Sequence, residues 1–260
     1  TRTCQYLLKV LKDEHFSEES QELEHQTQFI VTKQRFNGFK LDIPYAKGLY
    51  RQFCTRMRAI EAQMQATFPP IVEERWSEKT GKKLKDNVTV FNPGSRQQIA
   101  QRLGELGAKF PRKTEKGNPI VDEETLESID LPEAKLVLEY LTLQKRTAQI
   151  NAWLEAVAED GRVHGRVRTN GAVTGRMTHS KPNMAQVPST NSLYGKECRS
   201  CRIVEEGNKL VGIDASGLEL RMLAHYMKDD NYTKELLEGD IHTANQTAAG
   251  LETRNQAKTF

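Results

Sequence analysis

Apolar residues recur in alternating steps of four and three along two long stretches of the sequence. The first stretch begins near Ala46, and its apolar positions are Tyr50, Phe53, Met57, Ile60 and Met64. The second stretch follows Pro132, a residue that favours the first turn of a helix. Its positions are Leu136, Tyr140, Leu143, Ile150, Leu154 and Val157, with the polar Thr147 among them. Because this spacing is typical of helices that pack against each other, the pattern predicts a long two-helix hairpin.

The segment between these helices is polar and rich in helix breakers from Pro69 to Asn92. Ser95 followed by Gln98 is a capping box, which predicts a short helix that ends near Gly107. This predicted loop and helical tip is basic, and its cations are Lys82, Lys83, Lys85, Arg96, Arg102, Lys109, Arg112, Lys113 and Lys116. The charge fits either a solubilising surface or a surface that contacts phosphates.

The two ends of the chain have different patterns. Residues 1–23 place apolar side chains at helical spacing and then become rich in Glu and Ser, which predicts one short helix followed by a linker. From Gly161 onward, valines alternate with glycines, a pattern typical of short strands joined by tight turns. Residues 209–213 then predict a buried strand that ends at Asp214, and a helix with Leu220, Leu223 and Met227 on one face follows.

Composition excludes some classes of protein. With 37% hydrophobic and 28% charged residues, the 260-residue chain has no apolar run close to the roughly eighteen residues of a membrane span. Its first twenty residues lack the apolar stretch of a secretory signal, so we expect a cytoplasmic protein that does not insert into membranes. Cys198 and Cys201 form a C-x-x-C without a second pair at zinc-finger spacing, and we expect reduced thiols there.

Several stretches of the sequence resemble the family A DNA polymerases, in particular those of small tailed phages. Residues 211–221 read VGIDASGLELR and closely match the first catalytic motif of that family. The other matching stretches, in order, are AEDGRVHG at 158–165, NGAVTGR at 170–176, PNMAQVP at 182–188 and GDIHT at 239–243. The similarity covers most of residues 27–260 and is densest after Leu138.

This resemblance implies an α+β fold that is a fragment of the right-hand polymerase fold. It would consist of a long helical thumb hairpin, part of the palm sheet and the first finger helices. Residues 1–23 would be the remnant of an exonuclease-domain terminal helix and its linker, and residues 24–155 the thumb. Residues 156–237 would be the N-terminal part of the palm, and residues 238–260 the start of the fingers.

The resemblance also implies the catalytic centre. A carboxylate at a strand end is fixed by the strand and open to solvent, and the family uses this one to hold two Mg²⁺ ions. Asp214 takes that role here, and the Ala215 carbonyl assists; one ion activates the primer 3′-hydroxyl and the other the triphosphate. A structural N-cap is the plain alternative for Asp214. Glu219 corresponds to the family's barrier against the ribose 2′-hydroxyl, which argues for deoxynucleotides.

A second group of residues is expected to bind the incoming dNTP. Thr253 and Gln256 form a capping box, so a helix is predicted to begin at Arg254, with Lys258 four residues on and on the same face. The resemblance implies that Arg254 and Lys258 bind the nucleotide's phosphates and that His242 adds a contact. An ordinary surface pair is the alternative for these two cations.

Three further residues are implied to contact primer-template DNA. Arg176 and Gln186 map onto residues that donate to minor-groove acceptors near the primer end. These acceptors occupy similar places in every base pair, so the contacts test pair geometry without reading sequence. Asn183 is expected to support the same loop.

The chain departs from the family at both ends and in the thumb. It stops at Phe260 before the second metal-binding carboxylate, and only what resembles the last exonuclease helix precedes the thumb. We therefore expect one subunit of a split DNA polymerase, active only with a complementary fragment that carries the remaining fingers and palm, and with a separate exonuclease. At this place in the thumb, a phage relative carries a long insertion that captures thioredoxin. The corresponding segment here, residues 69–92, is short, so thioredoxin is not an expected partner.

Two other functions compete with this one. The chain could be a non-catalytic module, derived from a polymerase, that binds duplex DNA or holds a partner. A single-chain RNA polymerase is a third possibility, but it conflicts with Glu219.

Overall fold

The computed structural model describes residues 1–257, apart from the side chains of residues 254 and 255. The chain divides into two compact units, with the boundary between Asn208 and Lys209. Helices and short strands alternate along the chain, which confirms the α+β class.

The first unit contains most of the secondary structure. Its helices are α1 (Arg2–Asp13), α2 (Glu18–Asn37), α3 (Ile43–Thr67), α4 (Arg96–Glu105), α5 (Glu123–Ser128), α6 (Pro132–Ala156) and α7 (Gly195–Ser200). Its strands are β1 (Phe39–Leu41), β2 (Ile71–Glu73), β3 (Asn87–Thr89), β4 (Arg162–Val163), β5 (Arg166–Arg168), β6 (Thr178–Ser180) and β7 (Arg202–Ile203). In the second unit the helices are α8 (Leu218–Met227), α9 (Asp230–Glu238), α10 (Ile241–Ala249) and α11 (Arg254–Ala257).

The predicted two-helix hairpin is confirmed, because α3 and α6 pack against each other and form the centre of the core. Both helices are 25 residues long. The buried side chains of the two apolar stripes are Phe53, Ile60, Met64, Tyr140, Leu143 and Ile150. The polar Thr147 is accommodated because its Oγ1 lies 3.5 Å from the Met57 Sδ. Burial of the apolar stripe stabilises helices of this length more than their intrinsic propensity does.

A carboxylate on the hairpin also connects it to the segment before α7. Glu139 accepts hydrogen bonds from Arg56 Nε at 2.7 Å and Arg56 Nη2 at 2.8 Å, and one from the Tyr194 hydroxyl at 2.7 Å. The Tyr194 ring packs against Phe53, with 4.8 Å between ring centroids. These contacts hold α3, α6 and the start of α7 together.

The tip of the hairpin is more ordered than the sequence predicts. Helix α4 begins as expected, with the Ser95 hydroxyl accepting from Gln98 N, but the Gln98 side chain accepts from Asn92 N and not from Ser95. The residues predicted as loop contain the antiparallel pair β2–β3, in which Ile71 lies opposite Thr89. Strands of three residues are too short to give a periodic signal, so the sequence pattern missed them.

Three short strands form the sheet beside the hairpin, in the order β4-β1-β7, and all are antiparallel. Strands β5 and β6 form a separate antiparallel pair, joined by a turn that contains Gly171 and Gly175. The prediction of short strands and tight turns after Gly161 is therefore confirmed.

The predicted linker in residues 1–23 is wrong in part. Helix α1 is present, but α2 already begins at Glu18 and continues to Asn37. The Ser17 side chain caps α2 by accepting from Ser20 N at 3.1 Å. Two glutamates in the first turn interact favourably with the helix dipole, so the Glu/Ser-rich composition marks a helix start and not a linker.

Gly38 allows α2 to end directly beside the sheet. Its φ of 62° lies in the left-handed region, and a Cβ at this position would lie 2.8 Å from the His164 ring. This close approach allows two polar contacts. His164 Nδ1 lies 2.7 Å from the Arg35 carbonyl oxygen, and Arg162 Nη1 donates to the Asn37 carbonyl at 2.9 Å. Glycine is therefore required at this helix end.

The predicted buried strand at residues 209–213 is also wrong. The segment is extended, and its apolar side chains are exposed; the exposed fraction of Ile213 is 94%. Within the described residues no strand pairs with it, and a single extended segment has no hydrogen-bond partners for its backbone. Of the described helices, none is long and apolar enough to cross a membrane.

Candidate active site and nucleic-acid interface

Asp214 lies in the exposed extended segment that enters α8. The turn after it is fixed: Gly217 is the N-cap in the left-handed conformation, with φ 58°, and Arg221 Nε donates to the Ser216 carbonyl at 2.9 Å. Because Gly217 occupies the N-cap position, Asp214 is not the cap of α8. The Asp214 carboxylate is therefore exposed on a short approach to an ordered helix.

Ala215 and Glu219 belong to the same approach. Ala215 is exposed one residue after Asp214, and Glu219 lies in the first turn of α8. A carboxylate in that turn interacts favourably with the helix dipole. The structure thus brings together three of the predicted site residues, all in one continuous segment.

His242 lies in the first turn of α10, which Asp240 caps. The Asp240 Oδ1 accepts from His242 N at 3.2 Å, and its Oδ2 accepts from the Thr243 hydroxyl at 2.9 Å. The His242 side chain is half-buried, and among the described residues its Nδ1 is a buried nitrogen with no hydrogen-bond partner. A buried polar atom of this kind is costly unless a ligand or water meets it.

Helix α11 begins where the sequence predicts. Thr253 Oγ1 accepts from Gln256 N at 3.3 Å, and Gln256 Oε1 accepts from Thr253 N at 2.9 Å, so the capping box is confirmed. Arg254 is the first residue of α11, and α10 packs against this helix. Lys258, the second predicted phosphate ligand, lies outside the described residues.

In the first unit, the loop with Asn183 and Gln186 is held by hydrogen bonds from several directions. Asn183 Oδ1 accepts from Ala185 N at 3.0 Å and from Gln186 N at 3.4 Å. Gln149 of α6 donates to the Gln186 carbonyl. Because these bonds use the Gln186 backbone, its side chain is left exposed on an ordered loop.

Arg202 holds the same loop and was not found from the sequence. Its Nη2 donates to the Met184 carbonyl at 2.8 Å, and its guanidinium lies over the rings of Phe39 and Trp153, at 5.4 Å and 5.2 Å. Burial, and to a smaller extent the nearby Arg199, lowers the pKa of Arg202 to about 10. Arg202 remains charged at neutral pH. No motif marks this residue, because its role depends on contacts between distant parts of the chain.

Arg176 ends the turn between β5 and β6. Its carbonyl accepts from Gly171 N at 3.2 Å and from Ala172 N at 3.1 Å, so the backbone position of Arg176 is fixed. A Cβ at Gly171 would overlap the Thr178 side chain at 1.9 Å, which shows how tightly the turn folds onto β6. The Arg176 residue itself is exposed.

Some cations of the basic tip form ion pairs within the protein. Arg112 pairs with Asp122 at 2.6 Å and with Glu124 at 3.0 Å. Lys83 pairs with Glu74 at 2.9 Å, and Arg102 pairs with Glu105 at 3.1 Å. These three cations therefore have partners within the first unit, which reduces the net charge that the tip offers to phosphates.

The C-x-x-C cysteines are buried on α7 and at its end. Burial raises the pKa of the Cys198 thiol to about 11 and that of the Cys201 thiol to about 12. A thiolate is the reactive and metal-binding form of cysteine, so both groups are unreactive at neutral pH.

The residues around Asp214 fit Mg²⁺ by donor type. Mg²⁺ prefers oxygen ligands and is commonly bound by one or two carboxylates together with substrate phosphates and water. The Asp214 carboxylate and the Ala215 carbonyl are such donors. Among the described residues there is no group of three or more His, Cys, Asp or Glu side chains that could hold a metal by themselves. The donor chemistry fits, and further oxygen ligands are needed.

The characteristic sequence pattern of DNA polymerase family A matches residues 55–260, which is most of the chain. The chain belongs to this family. As a family A polymerase sequence, it is 38% identical to the DNA-directed DNA polymerase of Escherichia phage T7, with 93% of this chain and 44% of that protein aligned. It is 51% identical to the DNA-directed DNA polymerase of Enterobacteria phage T3 over 66% of this chain and 27% of that protein. These relatives confirm the resemblance to the phage type.

Bacterial members of family A are more distant. The thermostable DNA polymerase I of Thermus aquaticus is 30% identical over 85% of this chain and 25% of that protein. A structure described as the POL domain of Pol1 from M. smegmatis, in complex with DNA primer-template and dNTP, superimposes with a TM-score of 0.71. It is 20% identical, covers 92% of this chain and supports the polymerase fold. The family A chain described here spans less than half the length of the curated relatives it matches.

Proposed function

We propose that the chain takes part in template-directed DNA synthesis, transferring a nucleotide from a dNTP to a primer 3′-hydroxyl. The observation that carries this proposal is Asp214, a solvent-exposed carboxylate inside the catalytic motif of a family A polymerase, followed by a fixed turn into α8. An exposed carboxylate with a defined backbone is suited to hold Mg²⁺ next to a substrate.

The Asp214 carboxylate and the Ala215 carbonyl would hold two Mg²⁺ ions. When bound, these ions would activate the primer hydroxyl and neutralise charge on the triphosphate. Glu219 would exclude a 2′-hydroxyl from the nucleotide site. His242, Arg254 and Lys258 would bind the triphosphate.

Primer-template DNA would be contacted by the first unit. Arg176 ends a fixed turn and Gln186 lies on a loop that Asn183 and Arg202 hold in place. Donors on an ordered backbone can probe minor-groove acceptors without an additional ordering cost.

The second metal carboxylate of the family is expected from sequence outside these 260 residues. The remaining fingers and palm, and the exonuclease, would be supplied by polypeptide outside these 260 residues. The assembled enzyme would act in the cytoplasm, of the host cell if it is phage-encoded, without thioredoxin as a partner.

The test is complementation on a primed template. This chain would be mixed with a second chain that carries the remaining fingers and palm of a family A polymerase, together with Mg²⁺ and dNTPs. We expect primer extension from the mixture and none from this chain alone. Asp214→Asn should abolish extension while leaving assembly intact, and Asp13→Asn, an exposed aspartate at the end of α1, serves as the matched control. Extension that is unchanged by Asp214→Asn contradicts the proposal.

A non-catalytic module is the second candidate. A module that binds DNA without chemistry needs no metal cluster, and the described residues contain no group of three or more His, Cys, Asp or Glu side chains that could hold a metal. This candidate predicts that the mixture assembles and binds duplex DNA but never extends a primer, whatever the divalent metal.

A further inference from the structure

Within the first unit, α2 and β5 enclose an open groove of about 670 Å³. Its walls combine basic, aromatic and aliphatic side chains, among them Val31, Arg35, Phe36, His164, Arg166 and Arg168. The residues expected to contact the primer terminus, Arg176 and Gln186, do not line it. The groove is therefore not explained by the proposed polymerase contacts.

Three arginines of the groove have no carboxylate partner among the described residues: Arg35, Arg166 and Arg168. By contrast, the neighbouring Arg162 pairs with Glu205. Arg166 and Arg168 lie two residues apart on β5, so they project from the same face. Their cross-strand neighbours on β6 are the uncharged Ser180 and Thr178. Because none of these three arginines is paired with a carboxylate within the part of the chain that the structure describes, an anion would be attracted to them.

An aromatic side chain stands beside these cations. Phe36 is 81% exposed, although it lies one residue from Arg35 in the last turns of α2. Val31, four residues before Arg35, is buried and also lines the groove. Cations next to an exposed aromatic ring are the combination with which proteins bind single strands, because phosphates pair with the cations and a base stacks on the ring.

The walls of the groove are held rigidly relative to each other. His164 lies within hydrogen-bond distance of both the Arg35 carbonyl, at 2.7 Å, and Asp160 Oδ2, at 3.0 Å. Arg162 Nη1 donates to the Asn37 carbonyl, and Gly38 leaves no side chain between α2 and β4. A preformed site loses little ordering entropy on binding.

We propose that this groove binds a single strand of nucleic acid. Its phosphates would pair with Arg35, Arg166 and Arg168, and one base would stack on Phe36. A duplex is disfavoured, because its bases are already stacked and paired and cannot offer a free face to the ring. The inference goes beyond the proposed function, since it requires neither a primer terminus nor the Asp214 site.

The test measures the binding of the full chain to a fluorescein-labelled dT20 strand by fluorescence anisotropy over a range of salt concentrations. Arg166→Gln with Arg168→Gln keeps the side-chain size and removes two charges. Arg51→Gln with Arg58→Gln, two exposed arginines on α3, is the matched control. We expect the groove variant to bind at least about tenfold more weakly at low salt, and its log–log salt slope to fall by about 1.4, as two lost phosphate contacts require. The control should change neither quantity.

Phe36→Ala tests the stacking contact and should weaken dT20 binding by about fivefold or more with an unchanged salt slope. If the groove variant and the control bind dT20 equally, the proposal fails. It also fails if labelled polyglutamate binds the wild-type chain but not the groove variant while dT20 binds both equally, since the groove is then a site for acidic protein. The groove variant should lose dT20 binding, while the complemented mixture made with it should extend a primer to the same extent as the wild-type mixture. This outcome separates the inference from the proposed function.

Discussion

At the scale of single residues, Glu139 shows how one carboxylate determines the packing of three elements. Its two bonds from Arg56 and its bond from Tyr194 hold the pKa of the Glu139 carboxyl below its ordinary value, with the Arg56 bonds as the main cause. Burial and the bond to Glu139 in turn raise the pKa of Tyr194 to about 12, so the tyrosine stays protonated as a donor.

We expect Glu139→Gln to lower the free energy of unfolding by about 1.5–3 kcal/mol at pH 7, the range for hydrogen bonds to charged groups. The unfolded chain takes up a proton on this residue at its ordinary carboxyl pKa, and the folded chain does so only at lower pH. The contribution is therefore complete above the ordinary value and disappears as the pH falls through the folded pKa. Urea unfolding at pH 7 and at pH 3.5 measures both effects. The matched control is Glu155→Gln, an exposed glutamate on the same helix; equal unfolding free energies for the two variants would contradict the prediction.

Glu219 allows a prediction about substrate choice that rests on the proposed function. In the complemented mixture, Glu219→Ala should raise the use of ribonucleotides relative to deoxynucleotides by about tenfold or more, because the barrier to the 2′-hydroxyl is removed. The ratio of kcat/KM for dATP and ATP measures this. Glu238→Ala, at the end of α9, is the control. A ratio that Glu219→Ala leaves unchanged assigns the sugar barrier to another residue.

At the scale of elements, the sequence predicted the long helices, whose apolar positions repeat over many turns. It failed for short strands, because their formation depends on pairing with residues that are distant in the sequence. The stripes of α3 and α6 extend over many turns, so their positions were correct. The β2–β3 pair was missed because each strand has three residues. Residues 209–213 have the composition of a strand, but pairing partners decide whether a strand forms, and the described residues provide none. At the candidate site, motifs predicted residue types, whereas Arg202 and the groove arginines became visible only in three dimensions.

The connection between α2 and β1 gives an element-scale prediction. Gly38→Ala should lower the free energy of unfolding by at least about 1 kcal/mol, because the φ of 62° is unfavourable for alanine and the new methyl group meets the His164 ring. Gly48→Ala is the matched control: Gly48 lies inside α3 with open space around its Cβ position, so alanine there should stabilise the protein by about 0.5–1 kcal/mol. Chemical denaturation of both variants checks the opposite signs. Destabilisation by both would contradict this account.

At the scale of the whole molecule, the chain corresponds to less than half of each curated relative discussed above. The alignment with the phage T7 polymerase spans 313 positions but only 93% of the 260 residues, so that polymerase has residues within the aligned region that this chain lacks. The predicted domain boundaries and the expected independence from thioredoxin remain predictions.

Duplex binding by the full chain should be weak and independent of sequence, because the proposed contacts reach phosphates and shared minor-groove acceptors. Arg176→Ala with Gln186→Ala should reduce affinity for blunt duplexes of different sequence by similar factors, about tenfold or more. Anisotropy with two unrelated duplexes, each measured over a range of salt concentrations, checks this, and Arg51→Gln with Arg58→Gln is again the control. A strong preference for one duplex, or a flat salt response, would contradict the assignment.

The exposed extended segment at residues 209–216 also determines how the chain should respond to a protease. Proteases bind extended, solvent-accessible backbone, and within the described residues this segment belongs to no helix or sheet. Brief digestion with trypsin should therefore cut after Lys209 before it cuts inside α3 or α6, and mass spectrometry would identify the product 1–209. If a complementing polymerase chain provides the neighbouring strand for Asp214, the same bond should become resistant. The rate of this single cleavage would then report, without any nucleotide or metal, when the segment that carries Asp214 has paired with a strand of the complementing chain.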